Sequence, residues 1–153
     1  MSDGDVIRKL YSAKVMELAN DIPLQRRLDE PDATVERRSP LCGSRITVDL
    51  KLDGDVVADY GHVVRACTLG QTAASIMARH VVGCNIELLR RIANAMRALL
   101  KEGKDLPDGL WPILVYLTPA QPYKSRHGSI LLAFDAVEEA IEKITSEMDT
   151  TVG

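Results

Sequence analysis

Between Arg45 and Val64 the chain carries the pattern that most restricts its fold. Ile46, Val48, Leu50 and Leu52 alternate with Thr47, Asp49 and Lys51, and the run ends at Asp53-Gly54. A period of two places all four apolar residues on one side of an extended strand, and Asp-Gly is the dipeptide that suits a tight hairpin turn. The valine-rich stretch from Asp55 to Val64 is then the returning arm. A hairpin with one apolar face needs a cover, and helices are the expected one.

The rest of the chain supplies that cover. From Asp5 to Ile22 the apolar residues Val6, Leu10, Val15, Leu18 and Ile22 recur at mixed three-, four- and five-residue steps until Pro23 stops the run, which predicts one helix. Leu24 to Asp32 is charged and contains Pro31, so it reads as a surface connection, followed by a short β-like run at Thr34-Val35-Glu36-Arg37. A helix of small residues begins at Cys67 and reaches Ala78, with Gly83 available to cap its end. Ile86 to Lys101 places Leu88, Leu89, Ile92, Met96, Leu99 and Leu100 on one stripe before Gly103. Five interruptions by Pro or Gly between Pro107 and Pro122 leave room only for a short strand or helical turn at Ile113 to Leu117, then loop. The last helix is expected over Ile130 to Met148, with Leu132, Val137, Ile141 and Ile144 inward and a frayed tail after it.

At 153 residues this is one α+β domain, spanning 1–153, because two cores of half the size would each be poorly buried. A formal charge of -3 makes no field that would attract nucleic acid or an anionic lipid surface. The first residues, Met1-Ser2-Asp3-Gly4-Asp5, have no basic segment leading into an apolar one, and no stretch of ~18 apolar residues occurs, so the expectation is a cytoplasmic protein without a membrane partner.

Chemistry centres on cysteine. Cys42, Cys67 and Cys84 form no CxxC pair, and in a reducing compartment they are thiols, ligands or core fillers rather than disulfides. Cys42 lies in Ser39-Pro40-Leu41-Cys42-Gly43-Ser44, just ahead of the hairpin, and by itself would read as a half-buried thiol at the end of the sheet. Cys67 follows the returning arm. Arms of similar length on either side of Asp53-Gly54 bring both cysteines to one edge of the sheet, and the helix that begins at Cys67 turns its positive end toward them, which favours thiolate, the form that soft metals and sulfide clusters take. Cys84 is at the far end of that helix, roughly 25 Å away at about 1.5 Å of rise per residue, and is read as a structural or surface thiol.

Among the histidines, His127 stands out in the polar segment Lys124-Ser125-Arg126-His127-Gly128-Ser129, read as a loop before the last helix. His62, in a strand, and His80, near a helix end, read as ordinary side chains. Lys124 and Arg126 beside a helix start, with Ser129 as N-cap, make a weak anion site.

Pro40-Leu41-Cys42-Gly43, the strand to Asp53-Gly54, Ala66-Cys67 opening a helix, and Ala73-Ala74-Ser75 within it occur in an order that resembles the NifU N-terminal, IscU and SufU scaffold family. Tyr11-Ser12-x-Lys14-Val15 and Leu132-Ala133-x-Asp135-Ala136 extend the likeness over most of the chain. The resemblance implies a three-stranded antiparallel sheet packed against about four or five helices. It implies assembly of a [2Fe-2S] cluster, or binding of iron with zinc as a substitute, sulfur supply from a cysteine desulfurase, and delivery to recipient apo-proteins. Cys42 and Cys67 fall on the first two ligand positions. Ser44 stands where the family commonly has aspartate, and the third cysteine is absent. Counting forward from Pro122-x-Lys124 puts His127 on its position, and counting back from Leu132-Ala133-x-Asp135-Ala136 puts Ser129 there; His127 is preferred because imidazole ligates iron or zinc and an unactivated hydroxyl does so poorly. Three ligands leave a fourth position for water, a partner residue, or a cluster shared between the copies of a homodimer.

Three functions follow. The first is a non-enzymatic cluster scaffold or carrier using Cys42, Cys67 and His127. The second is a degenerate scaffold that acts through partners without a cluster. The third, an enzyme with Cys67 as nucleophile and His127 as base, ranks last, since no orienting carboxylate or oxyanion motif accompanies them.

Overall fold

A computed structural model describes residues 8–40 and 43–152. Helix α1 (Ala13–Asn20) is followed by strands β1 (Ala33–Arg38), β2 (Arg45–Asp53) and β3 (Val56–Arg65), then helices α2 (Thr68–His80) and α3 (Ile86–Glu102), a 3-10 helix (Pro112–Ala120), and helix α4 (Lys124–Val152). The strands form one antiparallel sheet in the order β1-β2-β3. The α+β architecture expected from the hairpin and the family resemblance is therefore the one observed.

Alternation along β2 works as it reads. Ile46, Val48 and Leu50 are buried, and the register sets Val48 opposite Val35 on β1 and His62 on β3, so one face of the sheet is continuous. Helix α4 packs on β1 and β2 and helix α2 on β3, which makes that face the centre of the core. Asp53 still pairs with Val56, so the two turn residues are Gly54 and Asp55 rather than Asp53 and Gly54, and Gly54 takes φ +64° at the first of them, where a two-residue turn favours glycine. Helix α3 carries the stripe Leu89, Ile92, Met96, Leu99 and Leu100 fully inward, Asn85 caps its start, and Gly103 ends it at φ +69°. Arg97 of α3 reaches Asp135 and Glu138 of α4 at 2.8 and 3.1 Å, tying the two helices on their outer side.

The opposite face of the sheet is covered only in its middle. Asp49 is fully buried there and accepts from Arg27 Nε (2.7 Å), Leu28 N (2.9 Å) and Thr34 Oγ1 (2.6 Å). Burial alone would raise the carboxyl's pKa, but these donors outweigh it and hold Asp49 below the usual carboxylate range. Leu24, at φ +59°, turns the connection onto the sheet, and Gly61 has no Cβ because the Arg26 carbonyl occupies that space.

Three other expectations are corrected. The single N-terminal helix is broken: residues 8–10 are helical, Tyr11 turns, and Ser12 caps a fresh helix by accepting from Val15 N at 3.2 Å. A serine that offers its own hydroxyl to the backbone starts a helix more readily than it continues one. The predicted part at residues 5–7 lies outside the described residues. Gly83 lies beyond the end of α2, at φ +88°, in the turn where its N–H donates to Val57 O and leads the chain back alongside β3. The third correction concerns α4 and reshapes the candidate site.

Candidate metal centre

Helix α4 begins at Lys124 rather than Ile130, so the polar segment read as a loop is its first turns, and Ser129 is inside the helix and caps nothing. With the free N–H groups of the helix start five residues upstream, the anion site imagined around Ser129 is not built. The reason is tertiary. His127 is buried and its Nε2–H donates to the carbonyls of Ala120 (3.1 Å) and Gln121 (2.9 Å), docking the new helix on the end of the 3-10 helix. Gly128 lets the helix approach Ser39: a Cβ there would stand 2.8 Å from the Ser39 hydroxyl. Gly70 does the same on the α2 side, where a Cβ would collide with Ser129 Oγ. Two glycines on different elements thus permit α4, α2 and the β1–β2 connection to meet.

At that meeting point sits Cys67. It is the N-cap residue of α2, with extended backbone (φ -66°, ψ 170°), so its side chain projects from the positive end of a helix of 13 residues. The thiol is half-buried and unpaired by any disulfide. Its sulfur is 3.3 Å from Ser129 Oγ, and Ser129 Oγ donates to Ser44 Oγ at 3.0 Å. Ser44 and Ser129 are both buried, so a chain of two hydroxyls runs from the sulfur into the protein.

Cys42 lies outside the described residues. On its two sides, Ser39 N donates to Ser44 O at 2.8 Å and Gly43 N donates to Ser39 O at 3.1 Å. Because Arg45 pairs with Arg65, Ser44 stands at the sheet end where β3 runs into Cys67.

The structure therefore brings Ser129 to Cys67, with Ser44 behind it, and turns His127 Nε2 to the carbonyls of Ala120 and Gln121. The two alternatives for the third position lie two residues apart in this helix, so their side chains leave it in nearly opposite directions. Ser44, which stands where the family commonly has aspartate, enters this contact because it lies one residue before β2. Among the described residues no three His, Cys, Asp or Glu side chains converge to hold a metal ion. One soft sulfur beside one hard hydroxyl is an incomplete set for iron or zinc. Cys84 is remote from this point, as expected: its thiol contacts the His80 carbonyl at 2.8 Å, and burial raises its pKa against a smaller opposing contribution from Trp111. His62 is fully buried in the core, its Nε2–H donating to Pro23 O at 2.8 Å, and His80 lies against Trp111.

A sequence model of the NifU-like N terminal domain matches residues 10–149. The chain belongs to this family. Within reach of it, a crystal structure of the N-terminal part of a nitrogen-fixing NifU-like protein from Brucella abortus has a TM-score of 0.91 at 41% identity, covering 93% of this chain and 99% of that one. The iron-sulfur cluster assembly scaffold protein IscU of Thermotoga maritima is 24% identical over 140 residues, 92% of this chain and 98% of the relative. The zinc-dependent sulfurtransferase SufU of Bacillus subtilis is 24% identical over 144 residues, 94% and 97% of the two chains. The NifU-like assignment thus covers the whole sheet, the helix that starts at Cys67, and α4.

Proposed function

We propose that this NifU-like chain is a scaffold or carrier in iron-sulfur cluster assembly, holding iron or a [2Fe-2S] unit as cargo at the sheet end marked by Cys67. The observation that carries the reading is the chain of contacts that links three segments beside one sulfur: Cys67 at the N-terminus of α2 touches Ser129 in the second turn of α4, and Ser129 in turn bonds Ser44 of the β1–β2 connection. Cys42 is proposed as the second thiolate, supported by its described flanks at the same sheet end. Ser129 is proposed for the third position in place of His127, whose Nε2 proton is committed to two carbonyls and whose role is to dock α4. The fourth position falls to a partner group, water, or a second copy of the chain. Sulfur supply by a cysteine desulfurase and release to apo-proteins are part of this proposal, supported by the assembly-scaffold name of the IscU relative; zinc at the same position is the alternative that the name of the SufU relative supports. A hydroxyl among the ligands holds a soft cluster less firmly than a third thiolate, which suits transfer better than storage.

The same incomplete donor set favours a second reading, a scaffold that keeps its partners but binds no cluster. Anaerobic reconstitution with ferrous iron and sulfide separates the two. A visible chromophore that disappears in Cys67→Ala and in Cys42→Ala is expected. A colourless, metal-free wild type that still captures a desulfurase would establish the second reading instead.

A further inference from the structure

The end of the sheet next to Cys67 carries an arrangement that neither the core nor the metal centre explains. The register sets Arg38 of β1 directly opposite Arg45 of β2, and Arg45 directly opposite Arg65 of β3, so three arginines form one row across all three strands. All three are exposed, and by alternation with the buried Ile46 and Val48 the row lies on the face turned away from the helices. Arg38 is paired with Glu36 at 3.0 Å, whereas Arg45 and Arg65 have no acidic partner among the described residues. Like charges in directly opposed strand positions destabilise a sheet. The one acidic side chain in the neighbouring row of this face, Glu36 opposite Thr47, is engaged by Arg38, which leaves Arg45 and Arg65 as the open cations.

The row borders an uncovered piece of the same face. The connection through Arg26, Arg27 and Leu28 covers the sheet at Asp49 and Gly61 and stops there. Val63 is left 44% exposed beside Thr47, one step along the strands from Arg45 and Arg65. An apolar contact next to unpaired guanidinium groups is the composition of a protein-binding surface, in which arginine both contributes area and pairs bidentately with carboxylates.

We infer that this face docks an acidic segment of a protein partner, with Arg45 and Arg65 as the charge-reading pair and Val63 as the apolar contact, and so places that partner beside Cys67, two residues after Arg65. The proximity to Cys67 gives the surface its purpose only if the scaffold reading holds; the surface itself is argued from charge and exposure. Carboxylates of a partner would relieve the Arg45–Arg65 repulsion, so binding and stability are coupled at this row.

The test uses the full chain and a short synthetic peptide rich in Glu and Asp with a central Leu. Backbone amide shifts in wild type are expected to change at Arg38, Arg45, Thr47, Val63 and Arg65, and to weaken with added salt. Arg65→Glu is expected to raise the thermal midpoint, by placing opposite charges across from each other, while weakening the peptide about tenfold or more. In the double variant Arg45→Glu/Arg65→Glu the preference should invert to a Lys-rich peptide of the same length. Shifts confined to another surface, an Arg65→Glu protein that binds the acidic peptide as well as wild type, or a single-stranded DNA oligonucleotide that outcompetes the peptide would each overturn the inference. Iron and sulfide are quantified in parallel on reconstituted wild type: failure there sinks the scaffold reading, whereas the peptide map alone decides the docking surface.

Discussion

Ser129 Oγ stands 3.3 Å from the sulfur of Cys67 and donates to Ser44 Oγ at 3.0 Å. Replacing that oxygen with sulfur changes a hard donor to a soft one without moving the backbone. Ser129→Cys is expected to retain more iron and sulfide after anaerobic reconstitution and to lose iron more slowly to a ferrous chelator than wild type does. Equal retention and equal chelation rates in the two proteins would show that position 129 does not address the cargo.

His127 has a different task, and the two positions should separate cleanly. Its Nε2–H satisfies the carbonyls of Ala120 and Gln121 in a buried setting, so His127→Ala strands two acceptors and should cost about 1–3 kcal/mol. Urea unfolding measures that loss. Metal content of the folded variant is expected to stay at the wild-type level; its disappearance, with stability intact, would return His127 to the ligand set.

The pH dependence of stability should be carried above all by His62. Burial pushes its pKa below the ordinary 6.5, against a smaller opposing effect of its hydrogen bond to Pro23 O. The unfolded chain therefore takes up a proton that the folded chain refuses. Stability from this group is complete above about pH 6.5 and is lost as the pH falls from there toward the folded-state pKa. His80, lowered by burial and then by Arg79, acts in the same direction from a more exposed site. Urea midpoints taken between about pH 7.5 and about pH 5.5 should fall in wild type and flatten in His62→Gln, which keeps an N–H donor and does not titrate. A variant with the wild-type slope would refute the assignment.

Asp49 offers an asymmetric pair of mutations. Its carboxylate is fully buried, whereas the Arg27 side chain is 56% exposed. Asp49→Ala removes the acceptor of Leu28 N and Thr34 Oγ1 as well as Arg27, and is expected to cost about 3 kcal/mol. Arg27→Ala leaves the other two donors in place and should cost only about 1 kcal/mol. Chemical denaturation of both variants checks the order, and the reverse order would mean that the ion pair, not the buried acceptor, anchors this connection.

What the sequence by itself determined is the framework. The period-two run through Ile46, Val48 and Leu50, the hairpin turn at Gly54, the helix start at Cys67 and the stripe on α3 are local signals, because strand alternation, turn chemistry and helical periodicity each depend on residues only a few positions apart. Tertiary structure alone decided the first turns of α4, where six polar residues with no apolar periodicity are helical because His127 and Ser129 find partners on the 3-10 helix, Ser44 and Cys67. It also decided that Arg38, Arg45 and Arg65, far apart along the chain, form a single row. Such partners are long-range: their distance is set by strand register and helix packing, which no window of sequence contains.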